Sequence, residues 1–382
     1  MTARLHVAVV TGGRADWGLL AGPARALADR PDLRVSILAT GQHLGPARTL
    51  DAVRDDGFEV AETVDILLAS DTGEAAAKAM GLAQIGMAQA LARLSPDLLL
   101  VLGDRYEILA AVATALVMRI PVAHIAGGDV TEGAMDNAIR HAITKMAHLH
   151  FTTTDEAAAR VRSMGEPADR IHAVGSPGID RILATPRLNR GDVFAALGLE
   201  PTPRLLLVTF HPVTLRDDSR AQLGALLAAL ATLGPEFSLV FTGVNADPEG
   251  ATLDRDIAAF CAGRRGAVHR GSLGSRLYFS AIAACDAVVG NSSSGLYEVP
   301  SFGKPTVDIG DRQKGRLRAA SVIHCEPTEG AIAAALRQAL ALDASAAVNP
   351  YGDGRASQRI AGVIAAVPDA RALLRKPYSE AP

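Results

Sequence analysis

Residues 98–129 read LLLVLGDRYEILAAVATALVMRIPVAHIAGGD, and this stretch decides the fold class. The aliphatic run Leu98–Leu102 predicts a strand that is buried on both faces. Tyr106–Arg119 has the length and apolar content of a helix, and Pro121–Ile125 predicts the next strand. A strand, a helix and a second strand in this order predict two parallel strands of one sheet.

The same alternation extends in both directions along the chain. The other predicted strands are Leu5–Val10, Arg34–Leu38, His150–Thr153, Ile171–Val174, Arg204–Thr209, Ser238–Thr242, Ala267–His269, Ala287–Val289 and Pro305–Asp308. Turn residues cluster near Gly178–Arg190, between the two series. The sequence therefore predicts an α/β protein with two doubly wound, parallel-sheet (Rossmann-like) domains, residues 1–178 and 179–355, and a ligand in the cleft between them. The last helical segment, about residues 356–382, could pack back on the first domain or belong to the second.

Composition excludes several classes of protein. The chain has 382 residues, of which 49% are hydrophobic and 21% are charged, enough to fill two aliphatic cores. A net charge of −3 provides no overall attraction to nucleic acid or to an anionic membrane. Met1–Arg4 starts no cleavable signal, and no apolar run reaches the roughly 18 residues of a membrane span. The cysteines, which lack metal-ligand spacing, suit a reducing compartment, and we expect a soluble cytoplasmic protein.

Two loops that follow strands of the first domain place charged residues beside glycine. Thr11–Gly18 (TGGRADWG) lets the backbone approach a ligand, and Arg14 offers a positive fork suited to phosphate; a plain tight turn is the alternative. This loop lacks the GxGxxG spacing, which disfavours a nicotinamide or flavin site. In the second loop, Asp104 can orient a sugar hydroxyl or act as a base, and Arg105 can pair with it or with substrate. The alternative for Asp104 is a helix N-cap.

A third loop, His124–Asp136, is rich in glycine and acidic residues and leads into a helix. This helix and the strand after it contain Arg140, His141, His148 and His150. So many acids and imidazoles after one strand exceed what a turn requires. His124 and Asp136 are the preferred candidates, whereas His148 and His150 fit ordinary buried histidines as well as functional ones.

The second domain carries its polar residues in three places. His211–Thr214 follows one predicted strand, and Gly290–Glu298 (GNSSSGLYE) follows another. Serine hydroxyls and free backbone N–H groups at a helix N-terminus form a cradle for a diphosphate, and Glu298, about one turn into that helix, could accept ribose hydroxyls. A helix cap explains one serine but not three. Asp311–Arg316 is either a solvated charge run or a nucleotide contact.

Together these motifs resemble the hydrolysing UDP-N-acetylglucosamine 2-epimerases of sialic and legionaminic acid pathways. The resemblance runs from about Leu5 to Arg316 and rests on Gly13–Asp16, Gly103–Arg105, Gly127–Asp129, Ile139–Lys145, His211–Thr214 and Gly290–Glu298. It implies the two-domain GT-B fold. It also implies anti elimination of UDP to a 2-acetamidoglucal, followed by addition of water to give the free sugar inverted at C2.

The resemblance also implies roles for individual residues. Arg14, Ser292 and Ser293 would hold the diphosphate, Glu298 the ribose, and Leu273 and Tyr278 the uracil. Positions that match catalytic or sugar-site residues of the family are Asp104, Asp136 and His211. The other residues expected to bind substrate or to line its site are His43, Arg105, His124, His141, Gly295 and Arg312.

One departure from the family concerns Ala126, because some members have Glu and others His at this position. A carboxylate proposed there as an acid or base is absent from this chain. Asp129, three residues further on, matches an acidic position of the family. We hypothesise that Asp129 supplies part of the missing function.

Several alternatives stay open at this level. A non-hydrolysing epimerase would add UDP back to the intermediate, a GT-B glycosyltransferase would need an acceptor pocket, and a non-catalytic UDP-sugar sensor would give no product. The sugar could be the 2-acetamido compound or a 2,4-diacetamido-6-deoxy relative, since few pocket residues decide between them. We expect no organic cofactor and no metal, and the family favours a homo-oligomer, a dimer or a tetramer.

Overall fold

The structure is a computed structural model that describes residues 4–46, 49–70, 72–130, 135–213, 218–243 and 250–379. The loop residues Thr131–Ala134 and Thr214, and the chain start Met1–Ala3, lie outside the described residues. The strands are β1 (Leu5–Thr11), β2 (Leu33–Thr40), β3 (Val60–Val64), β4 (Leu98–Leu102), β5 (Val122–Ile125), β6 (Leu149–Thr152), β7 (Ile171–Ala173), β8 (Arg204–Thr209), β9 (Phe237–Thr242), β10 (Ala267–Arg270), β11 (Ala287–Gly290), β12 (Thr306–Ile309) and β13 (Val322–Cys325).

Helices connect these strands on both faces of each sheet. They are α1 (Arg14–Ala28), α2 (Asp51–Asp55), α3 (Gly73–Leu94), α4 (Tyr106–Val117), α5 (Asp136–Met146), α6 (Asp155–Ser163), α7 (Pro177–Ala184), α8 (Arg190–Leu197), α9 (Ser219–Ala231), α10 (Gly250–Ala262), α11 (Gly274–Ala284), α12 (Ser294–Tyr297), α13 (Glu329–Ala341) and α14 (Ala356–Ala365). None of the described helices is both long enough and apolar enough to cross a membrane.

Two parallel sheets carry the fold. The first has the strand order β3-β2-β1-β4-β5-β6-β7 and the second has the order β10-β9-β8-β11-β12-β13. Every described strand pair is parallel. The order reverses between β1 and β4 and again between β8 and β11, which makes each sheet doubly wound. The predicted fold class is confirmed, and ligands of such sheets bind beyond the carboxyl ends of the strands at these reversals.

Successive residues of β1 pack on opposite faces of the first sheet. Val7 and Val9 belong to a core beneath α1 and α14, whereas Ala8 and Val10 belong to a core beneath α3 and α4. This burial on both sides explains why the central strands show unbroken aliphatic runs. Two strands absent from the prediction, β3 and β13, lie at sheet edges and mix polar with apolar residues. An edge strand buries less of its surface, so its sequence signal is weaker.

The chain divides into two compact units, one that joins the residues up to Arg181 with those from Tyr351 onward, and one that spans Ile182–Pro350. Helix α14, whose place the sequence left open, lies in the first unit. Its residues Ile360 and Ile364 enter the core beneath α1. The Asp180 carboxylate accepts hydrogen bonds from the backbone N–H groups of Ala356 (3.0 Å) and Ser357 (2.6 Å). A side chain distant in sequence therefore supplies the N-terminal cap of α14.

The buried residue His148 supports the first sheet beside β5. His148 is 3% exposed, and its Nδ1 accepts a hydrogen bond of 3.1 Å from the backbone N–H of Val122. Burial, aided by the charges of Lys376 and Arg170 and by His150 and opposed by Glu166, lowers the pKa of His148 to about 4. His148 is therefore neutral near pH 7 and acts as a structural acceptor.

Replacing His148 by Asn should flatten the acid dependence of stability. The unfolded chain binds this proton below about pH 6.5, but the folded chain binds it only below about pH 4, so acidification through that interval favours unfolding. We expect the variant to recover up to about 3 kcal/mol of the stability that the parent loses across the interval. Urea unfolding at a series of pH values measures this difference. Near neutral pH the two proteins should be close in stability, because Asn Oδ1 can replace the Nδ1 acceptor; equal slopes for both would contradict the assignment.

Candidate functional site

The carboxyl ends of β1, β4 and β5 lie side by side in the first sheet. The three loops that the sequence singled out in this unit therefore begin at one edge. Arg140, which is 7% exposed and lies on α5, joins two of them. Its guanidinium donates to the Asp104 carboxylate and, over 2.9 Å, to the backbone carbonyl of Asp129.

Asp104 is not the N-cap of α4. The cap position is Arg105, whose side chain makes no capping hydrogen bond to the helix backbone. The Asp104 carboxylate pairs with Arg140 instead, and its side chain is 22% exposed. A carboxylate that is fixed by a buried arginine and still partly open to solvent is suited to act on a bound substrate.

His124 supports the Asp104 loop. It is fully buried on β5, and its Nε2 donates a hydrogen bond of 2.8 Å to the carbonyl of Gly103. The carbonyl can only accept, so the proton lies on Nε2, and Nδ1 faces the Thr144 hydroxyl at 3.3 Å. Burial lowers the pKa of His124 to about 3. His124 is therefore a neutral donor that holds the backbone next to Asp104.

Asp129 lies in a crowded part of the β5 loop. The Thr153 hydroxyl donates to its Oδ1 over 2.6 Å, and Arg160 donates to the carbonyl of Gly128. Burial raises the pKa of Asp129, although Thr153 and the charge of Arg160 oppose the change. Ala126 begins this loop with φ of 64°, a conformation that costs a non-glycine residue free energy. Strain at Ala126 and buried hydrogen bonds at Gly128 and Asp129 therefore fix the start of this loop, and position 126 carries no carboxylate.

Arg105 does not pair with Asp104, contrary to one of the expected arrangements. Its Nε donates to Glu107 Oε1 over 2.5 Å and lies 4.0 Å from Asp16 Oδ2. Glu107 is fully buried on the first turn of α4. Burial raises the pKa of Asp16 to about 6, with Arg105 opposing and Glu107 adding to the change. Sequence reasoning missed Glu107 because it falls within the apolar pattern of a helix.

Gly12 keeps the two carboxylates close. Its backbone N–H donates to Asp16 Oδ2 over 3.2 Å. A Cβ at this position would lie 2.7 Å from Glu107 Oε1 and 3.1 Å from Asp16 Oδ2. A side chain here would push on groups that are tied to Arg105, which explains the glycine.

The other predicted residues of this unit differ in exposure. Arg14 is exposed at the start of α1. His43 is buried, with Nε2 bonded to the Thr11 hydroxyl (2.9 Å) and Nδ1 to the Thr49 hydroxyl (3.0 Å). Asp136 and His141 are half-buried on α5, where burial lowers the pKa of His141. His150 is fully buried and bonds to Glu166 over 2.9 Å, so it belongs to the framework.

In the second unit, Asn291 joins two predicted residues. It is fully buried directly after β11. Its side-chain oxygen accepts from the backbone N–H of His211 over 2.7 Å, and its Nδ2 donates to the carbonyl of His211 over 2.8 Å. The backbone carbonyl of Asn291 accepts from Arg312 (3.1 Å) and Gln313 (2.8 Å).

The serine run opens a short helix. Helix α12 has one turn, and Glu298 caps its C-terminal end, about one turn after the helix start, as expected. The Ser294 hydroxyl donates to the Glu298 carboxylate and accepts a 2.6 Å bond from the Tyr278 hydroxyl. Burial raises the pKa values of both Tyr278 and Glu298. Tyr278 thus orients Ser294 and Glu298, a role beyond the one expected for it.

The remaining positions of the second unit are Gly295, Leu273 and the pair Ser292 and Ser293. A Cβ on Gly295 would lie 2.7 Å from Thr306 Cγ2, so this glycine permits close packing between α12 and β12. Leu273 is the half-buried residue before α11. Ser292 and Ser293 are half-buried, and Ser292 Oγ accepts from the Ser294 backbone N–H at 3.4 Å.

Among the residues that the structure describes, no group of three or more His, Cys, Asp or Glu side chains is arranged to hold a metal ion. The side chains described above offer carboxylates, guanidinium groups, imidazoles and hydroxyls for acid–base chemistry and for binding anions.

The fold and the site residues define a class of protein, an α/β enzyme of GT-B-like fold. Two parallel sheets present polar loops at their carboxyl ends, with carboxylate and arginine chemistry in the first unit and a serine-rich loop in the second.

The chain belongs to the UDP-N-acetylglucosamine 2-epimerase family, which matches residues 25–365. This confirms the resemblance found in the motifs. The chain is 36% identical over 330 residues to the GDP/UDP-N,N'-diacetylbacillosamine 2-epimerase (hydrolyzing) of Campylobacter jejuni, which covers 85% of each chain. It is 34% identical over 372 residues to the UDP-N,N'-diacetylbacillosamine 2-epimerase (hydrolyzing) of Legionella pneumophila, which covers 96% of this chain and 97% of the relative.

A solved structure supports the fold. The crystal structure of UDP-GlcNAc 2-epimerase from Neisseria meningitidis bound to UDP-GlcNAc superposes with a TM-score of 0.80. The match covers 94% of this chain and 99% of that one at 19% identity. At this identity the likeness concerns the fold alone.

Replacing Gly12 by Ala should destabilise the first unit, because the added methyl group would press on Glu107 and Asp16. We expect a loss of about 1–3 kcal/mol in the free energy of unfolding. A matched control is Gly81→Ala in the interior of α3, where a Cβ meets nothing within 4 Å. That change should add about 0.5–1 kcal/mol through helix propensity. Urea unfolding of both variants measures the difference, and equal stabilities would show that the two carboxylates are not tightly held.

Proposed function

We propose that this protein is a hydrolysing UDP-sugar 2-epimerase. It converts a UDP-linked 2-acetamido sugar and water to UDP and the free sugar inverted at C2. The observation that carries the proposal is the Asp104 carboxylate at the carboxyl end of β4, which buried Arg140 fixes. His124 holds the adjacent backbone through its hydrogen bond to the Gly103 carbonyl. Membership of the epimerase family and the two relatives named as hydrolysing enzymes support the same reaction.

The first step is an anti elimination. A base removes the proton from C2, and the electron pair of the C2–H bond forms the C1–C2 double bond. The C1–O bond breaks at the same time, and UDP leaves with the electron pair of that bond. Asp104 and Asp136 are the proposed carboxylates for proton transfer, and His211 of the second unit is the proposed imidazole. A preorganised carboxylate acts well here because its orientation is set before substrate arrives.

The second step adds water to the 2-acetamidoglucal. A proton reaches C2 from the opposite face, and the oxygen of water bonds to C1 as its other proton leaves. The sum of the two steps consumes one water and releases UDP and the C2 epimer. No organic cofactor and no metal enters the proposed balance.

The second unit is proposed to hold the nucleotide. Ser292 and Ser293 are proposed to donate to the diphosphate, and Arg312 to add positive charge on the nucleotide side; Arg14 is proposed as a further phosphate ligand. Glu298 uses one carboxylate oxygen for Ser294, and the other has no bond among the described residues and is proposed for the ribose. Leu273 and Tyr278 are proposed to contact the uracil.

The proposed substrate is a UDP-linked 2,4-diacetamido-6-deoxy sugar, with UDP-N-acetylglucosamine second. The names of the Campylobacter and Legionella relatives, at 36% and 34% identity, support this order. We propose that the product is an intermediate for nonulosonic acid synthesis and that the enzyme is cytoplasmic. We also propose a homo-oligomer.

Proton NMR in deuterated water tests the reaction. Purified enzyme is incubated separately with UDP-N-acetylglucosamine and with its 2,4-diacetamido-6-deoxy analogue. We expect released UDP and a free, C2-inverted sugar that carries deuterium at C2, because the proton added in the second step comes from solvent. The analogue that turns over with the higher kcat/KM identifies the substrate.

Other results would replace the proposal. An epimer that is still linked to UDP would identify a non-hydrolysing enzyme. Release of UDP only when an acceptor is present would identify a glycosyltransferase. Binding of UDP-sugar without any product at high enzyme concentration would identify a sensor.

The role of Asp129 is a separate prediction. Asp129→Asn keeps an oxygen for Thr153 but cannot transfer a proton, so we expect kcat to fall about 100-fold or more if Asp129 compensates for Ala126. Asp155→Asn is the control, because Asp155 is an exposed acid on the first turn of α6. Steady-state kinetics on both variants measures the effect. Near-normal turnover of Asp129→Asn would remove Asp129 from the mechanism.

A further inference from the structure

Asn291 directly follows β11, whose last residue, Gly290, pairs with Thr209 at the end of β8. The residue before it, Gly290, has φ of 139°, and a Cβ there would lie 1.8 Å from the carbonyl oxygen of Thr209. The backbone N–H of Asn291 donates to this same carbonyl over 3.1 Å. Only glycine permits this approach, which carries the Asn291 side chain to the loop that follows β8.

The side chain of Asn291 then replaces a strand neighbour for His211. Its amide presents one acceptor and one donor in a single plane, as a peptide group does, and both meet the backbone of His211, at 2.7 Å and 2.8 Å. Aspartate could not donate, and serine could not reach both atoms. The His211 loop has left the sheet at this point, so Asn291 continues the hydrogen bonding that β8 no longer provides.

Asn291 also connects this loop to a third segment. Its backbone carbonyl accepts from Arg312 and Gln313, which lie in the short helix Asp311–Gln313 after β12. One fully buried residue therefore joins the loops after β8, β11 and β12. Removing one partner from such a buried network leaves a donor or acceptor without a hydrogen bond, which costs free energy, so the geometry of the network is strongly fixed.

We propose that Asn291 is the positioning residue of His211, and that it sets the place of the imidazole without touching substrate. The inference rests on the proposed function, in which His211 acts on the reacting sugar nucleotide. The side-chain amide serves His211, whereas the backbone carbonyl serves Arg312. A change of the side chain should therefore affect turnover more than nucleotide binding.

A double-mutant cycle with His211 tests this. Asn291→Asp replaces the donated hydrogen bond by a repulsive oxygen contact, and we expect kcat to fall about 100-fold because the imidazole is displaced. The dissociation constant of UDP, measured by calorimetry, should change less than about threefold. In a His211→Ala background the same Asn291→Asp change should lower kcat no further, because the group that it positions is absent.

A matched control is Asn349→Asp. Asn349 is also a buried amide of the second unit, and it donates to the Tyr297 carbonyl (2.8 Å) and the Ser301 hydroxyl (2.6 Å). It should retain most of the parental kcat. If Asn291→Asp does not fold, Asn291→Ser removes the amide without adding a charge and enters the same cycle.

Each outcome of the cycle is decisive. Independent, multiplicative losses of kcat in the double variant would overturn the positioning role, as would a loss in UDP affinity that accounts for the whole effect. A loss equal to that of Asn349→Asp would show a merely structural amide. Unchanged turnover in His211→Ala alone would instead remove His211 from the proposed mechanism, and the positioning role would fall with it, whereas UDP binding and product analysis would still test the epimerase reaction.

Discussion

All strand pairs described in both sheets are parallel, and this constraint determines where chemistry can be placed. In a parallel sheet the carboxyl ends of all strands lie on the same side of the sheet, so the loops that follow neighbouring strands begin side by side. In the first unit this brings together the loops after β1, β4 and β5. In the second unit it brings together the loops after β8, β11 and β12. Residues that are distant in sequence therefore become neighbours without any local signal between them.

The loops themselves have left the hydrogen-bonded sheet, and buried polar side chains hold them in place. Arg140 joins the Asp104 side chain to the carbonyl of Asp129 in the first unit. In the second unit, the Asn291 side-chain amide bonds to the backbone of His211, and its backbone carbonyl accepts from Arg312. A guanidinium or an amide serves well because it forms several directed bonds from one rigid group. A buried donor or acceptor that loses its hydrogen bond costs free energy, so Arg140 and Asn291 each hold the loops that they contact in a fixed place.

The histidines illustrate how burial changes the meaning of a residue type. His124, His43 and His150 are all bonded at buried sites, and burial lowers their pKa values. A neutral imidazole at such a site donates or accepts one directed bond and carries no charge to substrate. The carboxylates behave differently, because Asp16 and Asp129 are raised in pKa by the same burial. The first unit therefore combines buried, neutral imidazoles with carboxyl groups whose raised pKa values favour the protonated form.

The sequence by itself determined the α/β class, the positions of most strands and the loops that carry polar residues, because aliphatic runs and glycine-rich turns are local properties of the chain. It also contained the motifs that identify the epimerase family. Only the tertiary structure decided that Arg105 pairs with Glu107 instead of Asp104. It also decided that Asp180 caps the N-terminus of α14, and that the Asn291 side chain forms hydrogen bonds with the backbone of His211. The local sequence pattern also did not predict the edge strands β3 and β13, since each forms its hydrogen bonds with one neighbouring strand. The physical reason is the same in every case: these partners meet only after the sheets have formed, and a hydrogen bond between residues far apart in sequence leaves no periodic trace in either segment.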